Sequence, residues 1–487
     1  MVVNSDTPFE SFFETSNEMV NKLYSNIHWS QRGNFMSVPT DCPQRDERLG
    51  WTGDAEIFAP TAAYNADVSA FYTKWMRDMR DGQSKEGGFP DIAPRVEDPQ
   101  DGAPAWGDAG VIVPYTVYRM YGDIEIIEDN YEAMKRWMDY IGSQNPSYIW
   151  TKRVNSNYGD WLQVGADTPK EVLSTAYYGY DALLMSKMAK AVNRTEDHKK
   201  YSELHTNIAN AFVKAFVNTT DATIKGNTQT VYVIAVAFEL LPQNLIPLAA
   251  NHLVDNIKAH DWHLTTGFVG VGYLCPTLSQ LGHSDVAYRL LLQDTYPSWG
   301  YSIKYNATTI WERWDGWTKE KGFQDPSSFN HYSLGSVGRW LFQSVAGIDT
   351  HEEGVGFKSI VIAPKPGGNL QKMTARAQQA INKEEFYGLS GLQLQVWRFI
   401  SIVTVLLQDF TALVGIIGAY RENYELTLTY FIITTIVLIM NLVNTSLRNT
   451  IIGPILDICV MITAFVFSKH LKSTEYEIND SKAQNKV

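Results

Sequence analysis

Carboxylates crowd into one short stretch of this chain. The segment VPTDCPQRDERLGWTGDAE (Val38–Glu56) sets Asp41, Asp46, Glu47, Asp54 and Glu56 among Arg45, Arg48 and Trp51. Pro43, Gly50 and Gly53 interrupt any helix through it, so it reads as a shaped loop before a helix that starts near Asp54. Carboxylates and guanidiniums this close perturb one another's pKa, which is how one acid is kept protonated near neutral pH. A second cluster, NATTIWERWDGW (Asn306–Trp317), packs Glu312, Arg313 and Asp315 among Trp311, Trp314 and Trp317. Tryptophans around an acid form an apolar wall that stacks on sugar rings and shifts a carboxyl pKa. Either stretch could also be plain structure, a solvated ion-pair loop or a packed aromatic corner. Two acid clusters far apart in sequence, each flanked by tryptophan, are nevertheless what glycoside hydrolysis needs. One acid protonates the leaving oxygen and one base activates water.

Smaller signals point the same way. WGDAG (Trp106–Gly110) and YGDWL (Tyr158–Leu162) each put a carboxylate beside Gly and Trp in a loop between helical segments, as if at one pocket mouth. SSFNHYSLGSVGRWLF (Ser327–Phe342) puts His331 at the start of a helix, where a lone histidine can equally be structural. There is no Gly-rich phosphate loop, no HExxH and no GxSxG with triad order. The three cysteines, Cys42, Cys275 and Cys459, form no CxxC pair and cannot build a disulfide framework. No metal and no other cofactor is expected.

The elements that would position these residues are mostly helices. The chain has 487 residues, 45% hydrophobic and 19% charged, an ordinary globular balance that excludes wholesale disorder. Its net charge of −12, with no basic stripe, argues against nucleic-acid binding. Thirteen of the 14 tryptophans precede residue 341. Apolar residues recur at helical spacing in about eleven segments, at 8–27, 54–81, 109–121, 129–142, 171–192, 196–217, 228–241, 245–259, 268–281, 284–294 and 331–346. Long loops rich in Gly, Pro, Trp and Asp join them, and loops of that length in a compact domain are usually functional. A strand-like piece, 355–368, follows the helical domain 1–354, and a polar linker covers 369–395.

The composition then changes. Three apolar runs, 396–420, 426–443 and 450–467, precede a polar tail, 468–487. Spanning a bilayer takes roughly 20 apolar residues, so the expectation is three transmembrane helices and a lipid partner. Asp409 and Asp457 lie within these runs, each costing about 2.5–3.5 kcal/mol at mid-membrane, a cost the surrounding Ile, Val, Leu and Phe can offset. Buried helices of a soluble domain are the alternative. The first residues carry no basic start and no apolar run of a secretion signal. Sequons at Asn193, Asn218 and Asn306 favour an outward-facing, extracellular catalytic domain.

The segment SQRGNFMSVPTDCPQRDERLGWTGDAEIFAPTAAYNADVSAFYTKWMRDM (Ser30–Met79) closely resembles the hallmark of bacterial-type α-L-rhamnosidases, glycoside hydrolase family 78. GGFPDIAP, WGDAG, YGDWL, HLTTGFVGVGYL, ATTIWERWDGW and SFNHYSLGSVGRWLF match in order, and the resemblance spans residues 8–368. It implies a mainly α fold, an (α/α)6 barrel with catalytic loops between helices. It implies inverting hydrolysis of a terminal α-L-rhamnoside, with Glu47 as general acid and Glu312 as general base, their carboxyls about 6.5–9.5 Å apart. Asp41 and Asp54 would hold sugar hydroxyls. Trp106, Asp160, Trp161 and His331 would line the sugar pocket, with Trp51 in its aromatic wall. Members of the family usually carry β domains on both sides of the barrel; here 355–368 reads as a remnant of the second, and no membrane tail belongs to the family. The competing readings are a glycosidase of the same fold with another sugar specificity, and a membrane-anchored sugar-binding protein without catalysis.

Overall fold

Six helical hairpins wind around one ring in a computed structural model, which describes residues 5–9, 11–96, 101–324 and 327–377. The helices are α1 (Glu18–Asn34), α2 (Thr52–Asn65), α3 (Ser69–Asp81), α4 (Ala109–Tyr121), α5 (Glu125–Gly142), α6 (Lys170–Ala191), α7 (Thr195–Phe216), α8 (Gln229–Ala237), α9 (Ile246–Ala259), α10 (Phe268–Gln280), α11 (Ser284–Leu291) and α12 (Trp299–Lys304). A last helical stretch runs as 3-10 helix through Ser333–Val337, α-helix at Gly338–Trp340 and π-helix at Leu341–Val345.

Alternate helices have different compositions, and that difference sorts them into two layers. α2 buries 13 of its 14 residues, whereas α7 buries four of 22. A helix that is apolar on every side must be enclosed, while one with a single apolar stripe faces solvent with the rest. The enclosed helices α2, α4, α6, α8, α10 and the stretch from Ser333 touch in that order, and the last touches α2 again, closing the ring. The half-buried helices lie outside them, α7 against α6, α9 against α8 and α11 against α10.

Local chemistry fixes the ends. Asn17 caps α1 by accepting the Met19 and Val20 N–H groups, and Ser298 caps α12 through the Tyr301 N–H. Gly122, at φ 71°, ends α4 in the left-handed conformation that only glycine adopts without cost.

Several boundaries depart from the periodicity. The expected segment 8–27 is a strand, Phe12–Thr15, followed by α1, because the Asn17 cap starts the helix later than the apolar spacing suggests. The single segment 54–81 is two helices, since Ala66 is extended (φ −146°, ψ 163°) and turns the chain from the inner to the outer layer. The short α12 escaped the pattern because six residues show little period.

Residues 355–368 hold one strand, Ile360–Ile362, paired antiparallel with Ile348–Thr350. The stretch expected as linker sends Met373–Arg376 back to pair with Phe12–Thr15. Its half-buried, half-exposed alternation fits a strand better than a polar connector. These strands belong to the same compact unit as the barrel, 1–383. No helix among the described residues is long and apolar enough to cross a membrane. The runs 396–420, 426–443 and 450–467 and the tail 468–487 lie outside the described residues.

Candidate active site

The loop between Val38 and α2 closes on itself around Asp41. The Asp41 N–H donates to the Leu49 carbonyl at 2.9 Å, and its Oδ1 accepts the Leu49 N–H at 2.9 Å. The Cys42 thiol donates to Asp41 Oδ2 at 2.9 Å; burial pushes that thiol up to about 12, so it keeps its proton and serves as donor. Burial likewise raises the Asp41 carboxyl to about 6, against the thiol hydrogen bond that lowers it. This folding of the loop brings Arg45 and Glu47 to the same side.

Arg45 then joins the two clusters that the sequence keeps apart. Its Nη2 pairs with Glu47 Oε2 at 2.6 Å and its Nη1 with Glu312 Oε2 at 3.1 Å, with Asp41 Oδ2 at 3.7 Å. A rigid guanidinium fork between them holds those two acid oxygens within about 8 Å of each other, which excludes opposite sides of the barrel. Each acid is also fixed from behind. Trp51 Nε1 donates to Glu47 Oε1 at 2.8 Å, and the Ser328 N–H donates to Glu312 Oε2 at 2.8 Å. Asp41, Cys42 and Glu47 bring ligand-type atoms within 4.8 Å of one another. There the Arg45 charge and the protonated thiol make an ion-pair cluster rather than a metal cradle.

Asp54, in the first turn of α2, is buried and accepts from His331 Nε2 at 2.6 Å and from Ser333 Oγ at 2.7 Å. Burial alone would lower the His331 pKa, but Asp54, and beyond it Glu312 and Asp41, outweigh burial and raise it. A buried histidine–carboxylate pair therefore stands beside Glu312 and Asp41.

The aromatic wall has a centre that the motif reading left out. Tyr158 lies against Trp106 (ring centres 4.5 Å apart), Trp51 (5.8 Å) and Trp161 (6.2 Å). Its hydroxyl donates to Asp91 Oδ2 at 3.1 Å. Trp106 is buried and reaches this wall because Gly53 has no side chain; a Cβ there would come within 2.5 Å of the indole. Trp161 is 43% exposed and stands at the outer edge.

One expected pocket residue is spent elsewhere. Asp160 Oδ2 accepts from Thr230 Oγ1 at 2.5 Å and the Gly267 N–H at 2.9 Å. Its Oδ1 accepts the Val269 and Gly270 N–H groups at 3.0 and 3.1 Å. A carboxylate offers about four lone-pair sites, and here all are taken by the start of α10 and its neighbour. Asp160 is a buried anchor for the N-terminus of α10 and has no acceptor left for a sugar hydroxyl. Sequence reading thus named Asp41, Glu47, Trp51, Asp54, Trp106, Glu312 and His331, which come together, and Trp161, which borders them. Asp160 is set apart from them by its four protein donors, and the roles of Arg45, Tyr158, Asp91 and Ser328 emerge only with the fold. All four lie inside the motif strings, and only the fold shows what each of them touches.

The chain is similar to known proteins over this whole region. Residues 8–345 match the family model described as the bacterial alpha-L-rhamnosidase 6 hairpin glycosidase domain. An α-L-rhamnosidase of Streptomyces avermitilis is 46% identical over 376 residues, 77% of this chain and 36% of that one. The crystal structure of the Streptomyces avermitilis α-L-rhamnosidase complexed with L-rhamnose superposes with a TM-score of 0.74 at 46% identity, covering 77% of this chain and 36% of that one. The native α-L-rhamnosidase from Aspergillus terreus superposes with a TM-score of 0.73 at 37% identity, covering 77% and 45%. The chain spans between 36% and 45% of the length of these relatives.

Proposed function

The chain belongs to the family of bacterial α-L-rhamnosidase six-hairpin glycosidases, and on that premise we propose that it hydrolyses terminal α-L-rhamnosides with inversion at the anomeric carbon. The observation that carries this reading is Arg45, whose one guanidinium contacts both Glu47 and Glu312. Glu47 is the general acid. It gives its proton to the leaving glycosidic oxygen as the bond to the anomeric carbon breaks. Glu312 is the general base. It takes a proton from the water whose oxygen forms the new bond on the opposite face. The Trp51 indole N–H fixes the rotamer of the acid, and the Ser328 N–H that of the base. Asp41 and the Asp54–His331 pair hold sugar hydroxyls, which need donors and acceptors already in place. Trp51, Trp106 and Tyr158 give the flat apolar face for the ring, with Trp161 at its rim. The substrate is a rhamnose-containing glycoside or polysaccharide.

An aryl α-L-rhamnoside offered beside the matching α-glucoside and α-mannoside tests this. Release of aglycone from the rhamnoside alone is the expected result. Faster release from either other sugar would move the assignment to a different specificity, and sugar binding without turnover would make the protein a lectin-like binder. We further propose that the apolar runs 396–420, 426–443 and 450–467 anchor the protein in a bilayer with the catalytic domain outside, on the strength of their composition and the sequons. Deletion of 393–487 should then release the protein without detergent, and a full-length chain already free of membrane would contradict it.

A further inference from the structure

The barrel interior holds a second group of acids that the proposed reaction does not use. Glu56 on α2, Asp108 just before α4 and Asp181 on α6 are all buried. Their polar company is one another, the Tyr177 phenol and the Trp137 indole; past Glu56 lie Tyr180 and Tyr273, with Arg339 5.3 Å from the centre of the Tyr273 ring. Asp108 Oδ2 accepts the Ala105 N–H at 2.6 Å, and Asp181 Oδ2 accepts the Trp137 Nε1–H at 2.7 Å. The other oxygen of each, Asp108 Oδ1 and Asp181 Oδ1, is buried and meets no N–H or O–H donor among the described residues. The two carboxyls face each other.

Two ionised carboxylates so placed would repel, and each would leave a buried oxygen with no donor. One proton between them satisfies both, as in carboxyl dyads that hold a proton in common. Burial, with the Asp108 charge behind it, pushes the Asp181 carboxyl well above the usual carboxylate range. Burial raises the Asp108 carboxyl as well, against the hydrogen bond from Asp181 that lowers it.

What this pair grips is the turn that carries Trp106. Ala105 has φ 66°, a left-handed conformation that is unfavourable for a non-glycine residue and persists only where its surroundings enforce it. The Asp108 carboxylate enforces it through the Ala105 N–H. On the other side of the turn, Trp137, held by Asp181, packs under Gly107 so tightly that a Cβ would come within 2.6 Å of the ring. Between these two grips, Trp106 is presented to Tyr158 and the sugar-facing wall.

We propose that Asp108 and Asp181 form a proton-sharing carboxyl pair that positions Trp106 for the sugar, making both of them positioning residues. The kinetic consequence rests on the rhamnoside reading above; the shared proton does not. In the full-length chain, Asp181→Asn keeps an oxygen for the Trp137 N–H and gives Asp108 a permanent N–H donor. It should turn over an aryl α-L-rhamnoside with KM and kcat within about twofold of the unaltered protein. Asp181→Ala removes both functions and should raise KM about tenfold with a smaller change in kcat, as expected when uniform binding of the ring is lost. The infrared difference spectrum between the unaltered protein and Asp181→Asn at neutral pH should contain one carboxylic-acid C=O band. An Asn variant as impaired as the Ala variant, or a difference spectrum without that band, would overturn the proposal. If the Ala variant does not fold, the infrared comparison still decides. If no rhamnoside is cleaved by the unaltered chain, the reaction reading fails while the band continues to report on the pair.

Discussion

Asp54 and Glu56 sit two residues apart on α2 and belong to groups of acids that are neutralised in opposite ways. On the Asp54 side, cations do the work. His331 pairs with Asp54, and Arg45 touches Asp41, Glu47 and Glu312. On the Glu56 side the companions are Asp108, Asp181 and Tyr177, and the acids are held by protons. The Glu47 side chain keeps 26% of its surface open, whereas Asp181 has none. An acid with cation partners and access to solvent can exchange a proton with a substrate. An acid in a dry core retains its proton and becomes a donor that shapes the backbone. On the proposed reading the same residue types serve catalysis on one side of a helix and support on the other, and the presence of an arginine or histidine separates the two cases.

If the open group is the reactive one, changing it should cost far more turnover than stability. Glu47→Gln keeps the shape and the Trp51 contact but cannot give a proton. Turnover of a substrate with a poor leaving group should fall about 10²–10⁴-fold while binding holds. Near-normal turnover would remove the contrast altogether. Trp51→Phe keeps the ring but loses the N–H that orients Glu47, a hydrogen bond worth about 1 kcal/mol, so kcat should drop by up to about 10-fold with the melting temperature little changed.

Asp160 tests the contrast from the supporting side. Asp160→Ala should destabilise the fold by about 2 kcal/mol, the upper end for losing a helix cap, while the folded fraction keeps its KM. A raised KM with normal stability would return Asp160 to the sugar pocket.

The smallest effect belongs to Asp91, which is buried like the interior acids yet holds the Tyr158 hydroxyl of the wall. Burial raises its carboxyl from 3.8 to about 6, so the folded state binds this proton more tightly than the unfolded chain does. Its stabilising contribution is therefore complete below the unfolded value and is lost as pH rises through about 6. Asp91→Asn should flatten that loss, leaving the variant of order 1 kcal/mol more stable relative to the unaltered protein at neutral pH than at about pH 4, measured by thermal unfolding.

Much of this was legible in the residues. The helical period located the barrel helices because each layer carries a strong burial pattern, and the segment 109–121 coincides with α4. It failed where another force sets the boundary, at the Asn17 cap and at the extended Ala66. The motif strings identified the acids, but their partners depend on contacts between residues far apart in the chain. Arg45 and Glu312, 267 residues apart, meet only because the ring closes. Asp160 shows the limit most plainly. A carboxylate beside Gly and Trp looks like a ligand for a sugar until the backbone N–H groups of α10 are seen to fill it.

The proposed reaction requires Glu47 and Glu312 to act across one sugar as acid and base, with a water between the base and the anomeric carbon. Proton NMR of the first sugar released from an aryl α-L-rhamnoside, recorded before the anomers equilibrate, measures this directly. Appearance of β-L-rhamnose first, with the α anomer following by mutarotation, is the predicted result. Release of α-L-rhamnose first would mean a covalent intermediate on one of the two glutamates and would contradict the assignment.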